Sequence, residues 1–130
     1  MPGIFGDHMV LQEKKFLPIW GWASPGESVT VVFKDQKITT TTKDDGTWRV
    51  DLQPVSADGE PATMTVSGKN TIVFEDVLVG DVWLASGQSN MEFGLQKDSR
   101  AAEMIPKATD SKIRLFFVPW ATALEPQTNI

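Results

Sequence analysis

The longest apolar stretch of the chain reads VLVGDVWLA, residues 77–85, and it separates two parts of different character. Only Gly80 and Asp81 interrupt it. Such a run is typical of a strand buried on both faces, as in a parallel sheet covered by helices. It falls far short of the roughly 20 apolar residues that span a bilayer. The stretch therefore predicts a core strand.

The part before this stretch, residues 1–76, has the pattern of short antiparallel strands. Residues 48–52 alternate apolar and polar side chains, as a strand with one polar face does, and in residues 29–33 Val29, Val31 and Phe33 alternate with Thr30 and Val32. Turn sequences recur at intervals of about ten residues, and Asp45-Gly46 predicts a hairpin between residues 39–42 and 48–52. We therefore expect residues 1–76 to form an antiparallel β-sandwich domain, immunoglobulin-like or jelly-roll-like.

The part that follows, residues 77–130, reads as a strand, a helical stretch and a second apolar strand at residues 113–118. This order predicts the first βαβ unit of an α/β domain. One such unit cannot bury both faces of its two strands. The sequence therefore predicts a mixed fold in which the second domain is truncated and the chain is the amino-terminal part of a larger protein.

Composition argues against several classes of function. Lysine and arginine number 12 and aspartate and glutamate 17, a net charge of −5 that argues against nucleic acid and against a polybasic membrane contact. Cysteine is absent, which excludes disulfides and thiolate nucleophiles. The acidic residues lack metal-ligand spacing, so no metal or cofactor is expected. The only histidine is His8, so a histidine base must be His8 or lie outside this chain.

The segment SGQSNME, residues 86–92, contains the best nucleophile candidate, Ser89. A serine beyond a buried strand and in the first turn of a helix has an exposed hydroxyl, and its backbone N–H points toward the place of a substrate carbonyl oxygen. Gly87 allows a tight turn beside the substrate. Gln88 and Asn90 are candidates to form the oxyanion site, to orient substrate or to bind the local backbone.

The same spacing also fits a helix cap. Ser89 and Glu92 match a capping box, in which each side chain binds the other residue's backbone N–H. Capping serines far outnumber nucleophiles, and Met91 stands where a nucleophile elbow has its second glycine. Ser86 precedes the glycine and is the weaker nucleophile candidate. Spacing alone therefore favours the cap.

Several motifs occur in order over nearly the whole chain: IFGDHMVLQ at 4–12, WGWASPG at 20–26, DGTW at 45–48, GDVW at 80–83 and SGQSNME at 86–92. Together they closely resemble the amino-terminal portion of the sialate O-acetylesterase family, carbohydrate esterases of the SGNH-hydrolase type. The resemblance implies that residues 77–130 begin an SGNH-like, flavodoxin-like hydrolase domain. It favours a periplasmic or secreted location, although the start of the chain shows no signal peptide.

The resemblance also implies a reaction. Ser89 matches the family's nucleophile, and its backbone N–H would be one oxyanion-hole donor. The serine attacks an acetyl ester on sialic acid or a similar acetylated carbohydrate, an acetyl-enzyme forms, and water releases acetate. The remaining oxyanion donors and the aspartate-x-x-histidine pair that activates the serine lie in later blocks of such proteins.

His8 does not match that catalytic histidine. Phe5 stands three residues before it, where the aspartate would be, and His8 falls in the β-sandwich segment. We therefore expect a structural, packed or hydrogen-bonded imidazole. Without a base the Ser89 hydroxyl stays protonated, so the chain alone is expected to be inactive until the carboxyl-terminal part of the hydrolase domain is present.

Five tryptophans offer a different interpretation, because aromatic faces stack on sugars. Trp48 and Trp83 lie on apolar faces and are expected in the core, whereas Trp20 and Trp22 share one strand face. Trp120 is a candidate for a site edge. The alternative function is a non-catalytic carbohydrate-binding or interaction module formed by the β-sandwich, and a third is a structural domain that packs against a catalytic partner.

Overall fold

The computed structural model describes residues 1–118, 122–127 and 129, and most of its regular structure is strand. Trp120 lies outside the described residues. The strands are β1 (Val10–Gln12), β2 (Leu17–Trp22), β3 (Ser28–Phe33), β4 (Gln36–Thr41), β5 (Thr47–Leu52), β6 (Ala62–Ser67) and β7 (Thr71–Gly80). After β7 come 3₁₀ turns at Ser89–Glu92, Leu95–Lys97 and Ile105–Lys107 and one short helix, α1 (Ala101–Met104).

The strands form two sheets. The larger has the order β1-β7-β6-β3-β4, with β1 parallel to β7 and the other pairs antiparallel. The smaller consists of β2 and β5, antiparallel, with Leu17 opposite Leu52. Gly46 has the positive φ of +80° that its predicted turn requires.

The hairpin predicted across Asp45-Gly46 was wrong, because β5 pairs with β2 and not with β4. The burial patterns explain this choice. β4 has no fully buried residue and lies at the edge of the larger sheet. Trp48, Val50 and Leu52 of β5 are buried, so this strand must cover the core from the other sheet.

One hydrophobic core lies between the two sheets. Phe33, Ile19, Leu52, Met64, Val31 and Val77 are its largest fully buried side chains, and they come from both sheets. Gly21 of β2 makes room for the ring of Trp48, since a β-carbon at Gly21 would lie 3.0 Å from Trp48 Cζ2. The predictions of a strand at residues 29–33, of a strand with one polar face at residues 48–52 and of a buried Trp48 are confirmed.

The apolar stretch of residues 77–85 is not a single strand, and that prediction was wrong. Val77–Gly80 completes β7, with Val77, Leu78 and Val79 buried. β7 pairs with β6 as far as Val77 and with β1 at residues 78–80. Residues 81–85 have no regular structure, and Trp83, predicted in the core, is 87% exposed. The sheet provides a partner only as far as Gly80, which lies opposite the last residue of β1, Gln12.

The described residues do not form the predicted βαβ unit. Residues 113–118 adopt no strand, and Leu115 is 94% exposed. A strand needs a neighbour for its backbone N–H and C=O groups, and these residues pair with no other described part of the chain. The division into domains at residues 76 and 77 stays a prediction, and β7 runs across it.

Candidate active site

Ser89 begins the 3₁₀ turn Ser89–Glu92, in the exposed segment that follows β7. Gln88 precedes the turn with an extended backbone (φ −90°, ψ −165°), and no side chain caps the turn. The capping box that the spacing favoured is therefore not formed. The Ser89 side chain therefore does not cap the turn, and Ser89 is exposed.

Two backbone hydrogen bonds close this turn. The Met91 N–H donates to the Gln88 carbonyl at 2.9 Å, and the Phe93 N–H donates to the Asn90 carbonyl at 3.2 Å. The N–H groups of Ser89 and Asn90 lie at the start of the turn, where a helical turn leaves its donors without internal acceptors.

Gly87 is fixed by a close approach of Met91. A β-carbon at Gly87 would lie 2.8 Å from Met91 Cγ, so a larger residue would push the two apart. The four predicted site residues, Gly87, Gln88, Ser89 and Asn90, are thus neighbours in one exposed turn. Their closeness follows from their sequence adjacency, and no second element of the described fold contributes a base to them.

Gln12 fixes the direction in which the chain leaves β7. Its Oε1 accepts from the Val82 N–H at 2.9 Å, and its Nε2 donates to Asp81 Oδ1 at 3.3 Å. The Glu13 N–H donates to the Gly80 carbonyl at 2.9 Å. The end of β1 therefore positions the start of the segment that leads to Ser89.

His8 lies in a different cluster, on the side of β7. Its Nδ1 is 2.6 Å from Asp76 Oδ2, so the imidazole is hydrogen-bonded, as expected. Arg114 binds the same carboxylate, with Nη1 2.8 Å from Oδ2 and Nη2 3.2 Å from Oδ1. The cluster connects the amino-terminal loop, β7 and the exposed segment. It gives His8 a partner other than Ser89.

Sequence reasoning missed the roles of Asp76 and Arg114. The available signal was weak: Arg114 is the only charged residue in the apolar run 113–118. Asp76 and His8 both have positive φ, +54° and +64°, which is uncommon for residues other than glycine. His8 lies in a turn, whereas Asp76 lies within β7, at the point where the register with β6 shifts. The Arg114 guanidinium and then the His8 imidazole lower the pKa of Asp76 from 3.8 to about 2.

The pKa of Asp76 predicts a pH-dependent contribution to stability. Because the pKa is lowered on folding, the ionised carboxylate stabilises the fold above pH 3.8, and this contribution is lost as the pH falls toward about 2. Asp76→Asn is a suitable variant, since asparagine tolerates positive φ. We expect it to be less stable than the parent at pH 7 and to approach the parent in stability near pH 2, in urea titrations at both pH values.

Asp35→Asn, at an exposed turn, is the matched control and should leave stability unchanged at both pH values. A stability deficit of Asp76→Asn that is the same at pH 7 and pH 2 would contradict this account of the cluster.

The surroundings of Ser89 contain no metal site within the described residues, where no three histidine, cysteine, aspartate or glutamate side chains are grouped. The same part of the chain contains no helix of the length and apolarity required to cross a membrane.

Sialate O-acetylesterases are similar to this chain in sequence. The mouse protein is 36% identical over 124 residues, which cover 86% of this chain and 23% of the relative. The rat protein is 36% identical over 136 residues, covering 95% and 25%, and the human protein 36% over 122 residues, covering 85% and 23%. The resemblance to the sialate O-acetylesterase family is confirmed. No family model matches the chain.

A solved structure shows the same similarity to esterases. The fold matches the crystal structure of a carbohydrate acetylesterase from Xanthomonas citri with a TM-score of 0.94 and 37% identity, over 98% of this chain and 29% of that one. With this coverage, the match includes the exposed segment as well as the two sheets. The chain spans about a quarter of the length of the sialate O-acetylesterases it matches.

Proposed function

We propose that this chain forms part of a carbohydrate esterase that removes O-acetyl groups from sialic acid or a similar acetylated sugar, with Ser89 as the nucleophile. The observation that carries the proposal is the exposed Ser89 at the first residue of a turn that no side chain caps. The similarity to sialate O-acetylesterases and to a carbohydrate acetylesterase supports the class of substrate.

The reaction assigns a step to each group in the turn. The Ser89 oxygen attacks the acetyl carbonyl carbon, and the Ser89 N–H stabilises the negative charge on the carbonyl oxygen. The activating base, supplied from outside this chain, takes the Ser89 hydroxyl proton; the bond between the acetyl carbon and the sugar oxygen then breaks, and the sugar leaves as an alcohol after it takes up that proton from the base. Water attacks the acetyl-Ser89 ester and releases acetate. Gln88 and Asn90 orient the sugar, and Gly87 lets it approach the backbone.

We further propose that the two sheets correspond to a β-sandwich domain and that the segment after β7 begins an SGNH-type α/β domain. Large apolar side chains of that segment are exposed, and solvent-exposed apolar patches of this kind mark interaction surfaces. The most exposed examples are Trp83, Leu84, Leu115 and Leu124. Additional chain, which the longer relatives contain, would pair with residues 81–85 and 113–118 and complete the predicted βαβ unit.

The chain alone is expected to lack turnover, because it contains no base for Ser89. Its one histidine is bound to Asp76, and Asp76 is bound in turn to Arg114. A protonated serine hydroxyl is a weak nucleophile. We therefore propose that the activating aspartate and histidine come from the region that the relatives have in addition.

The test uses a graft in which residues 1–130 replace the matching 29% of the Xanthomonas citri acetylesterase, chosen because the two folds superpose. We call this protein the grafted acetylesterase. A fluorophosphonate reagent should label it at Ser89, as peptide mass spectrometry can show. The 130-residue chain should remain unlabelled under the same conditions, because its serine is not activated.

Two results would contradict the proposal. One is labelling of the grafted acetylesterase at a serine other than Ser89 while acetate release continues. The other is equal labelling of Ser89 in the 130-residue chain, which would mean that the chain activates its own serine. Ser89→Ala in the grafted protein is the control for labelling at other sites.

A further inference from the structure

The outer face of the β2–β5 sheet carries two tryptophans side by side. Alternation along β2 directs Leu17, Ile19 and Gly21 into the core and leaves Trp20 and Trp22 on the opposite face. Trp22 is 44% exposed, and Trp20 is half-buried with its ring edge-to-face against Phe5, at a centroid distance of 4.7 Å. Because the two residues are two positions apart along a strand, their α-carbons lie about 6.7 Å apart.

This face forms an open, shallow depression. Its volume is about 420 Å³, and its lining includes Pro18, Trp20, Trp22, Lys43, Thr47 and Arg49. The strand beneath the cavity is packed against the core, because the Trp48 ring contacts Gly21, the residue between the two tryptophans, on its core side. Trp20 and Trp22 therefore lie on a strand whose opposite face is packed in the core.

Polar groups of β5 lie beside the two tryptophans. Arg49 is opposite Trp20 in the strand register, and Thr47 is opposite Trp22. Arg49 Nε and Nη2 both bind Asp51 Oδ1, at 3.0 and 2.7 Å. Within the described residues this leaves Arg49 Nη1 and Asp51 Oδ2 without a hydrogen-bond partner, so a donor and an acceptor remain available at the edge of the cavity.

We propose that this cavity, the Trp20–Trp22 surface, binds a carbohydrate chain at a site separate from Ser89. A sugar ring has a C–H face that packs on an aromatic ring and hydroxyl groups that both donate and accept hydrogen bonds. Tryptophan faces next to an arginine, an aspartate and a threonine match both properties. The inference takes only the class of ligand from the proposed function and does not depend on catalysis by Ser89.

Other occupants fit this surface less well. A second copy of the chain would bury the Arg49–Asp51 pair, whose side chains are 62% and 46% exposed, and burying a charged pair costs desolvation energy. Nucleic acid would place phosphates beside Asp51 on a chain of net charge −5. The hydroxyl groups of a carbohydrate can hydrogen-bond to the same charged groups and so replace the water that these groups lose on binding.

The test measures binding by the 130-residue chain in affinity electrophoresis with three probes: acetylated xylan, deacetylated xylan and polysialic acid. We expect at least one probe to retard the chain. Trp22→Ala should weaken that binding about tenfold, since it removes one stacking surface. Arg49→Ala should weaken it as well, and Trp22→Phe should retain part of it.

Phe16→Ala removes an aromatic ring that is 60% exposed outside the cavity, and it is the matched control, expected to bind like the parent. Ser89→Ala should also bind like the parent, which separates this site from the proposed active site. The proposal is overturned if no probe retards the chain, if Trp22→Ala binds as the parent does, or if its only effect is on the oligomeric state seen in gel filtration. Failure of Ser89 labelling with binding intact would contradict only the proposed catalytic function.

Discussion

Ser89→Ala in the grafted acetylesterase is expected to lower kcat/KM for acetyl ester hydrolysis by about four to six powers of ten. Alanine removes the only atom that forms the covalent bond to the acetyl group, and no other side chain in the turn replaces it. Because Ser89 is exposed and caps nothing, its loss should leave the fold intact. The measurement is acetate release from an acetylated sugar, with circular dichroism to compare the folds.

Ser86→Ala is the matched control for this loss. Ser86 lies three residues earlier in the same exposed segment and precedes Gly87, so it tests whether any serine of the motif is required. We expect it to retain activity within about tenfold of the parent, a small part of the Ser89 effect. Activity that survives Ser89→Ala and is lost with Ser86→Ala would move the nucleophile to the other residue.

Much of the strand region was predictable because its signals are local. The alternation at residues 48–52 identified a strand and its buried face, and Gly46 identified a turn with positive φ. Which strand pairs with which was not predictable in the same way. β5 pairs with β2 because the buried face of β5 must pack on the core from the second sheet, and this depends on how all the strands are arranged.

In the segment after β7, the apolar pattern of the sequence does not predict burial. Residues 77–85 have one continuous pattern, yet Val79 is buried and Leu84 is 92% exposed. An apolar pattern indicates that side chains are buried in the complete fold, but it does not indicate which part of the protein packs against them. The prediction of a buried strand therefore holds only as far as β6 or β1 pairs with β7, which ends at Gly80.

The candidate site was predicted in part. Ser89 and its neighbours were identified by a contiguous motif, which needs no knowledge of the fold. The capping box, favoured by spacing alone, does not form. The contact between Arg114 and Asp76 joins residues 38 positions apart and has no local signature. His8 was expected to be structural because Phe5 precedes it by three residues and because it falls in the β-sandwich segment, and its partner, Asp76, became known only from the structure.

Leu52 and Leu115 provide a stability test of the proposed additional chain. Both are leucines, but Leu52 is fully buried in the core and Leu115 is 94% exposed. In the 130-residue chain, Leu52→Ala should lower the free energy of unfolding by about 2–5 kcal/mol, because it leaves a cavity. Leu115→Ala should change it by no more than about 0.5 kcal/mol, because a solvent-exposed side chain loses no packing.

In the grafted acetylesterase the two leucines are expected to become equivalent. If the added chain covers residues 113–118, Leu115→Ala should cost about 2–5 kcal/mol there, as Leu52→Ala does in the chain alone. Urea unfolding followed by tryptophan fluorescence measures both proteins, at low concentration so that the exposed apolar side chains do not cause association. A Leu115 effect that stays near zero in the grafted protein would show that the segment remains in solvent. The α/β domain would then lack its second strand, and the placement of Ser89 at the edge of a parallel sheet would fail with it.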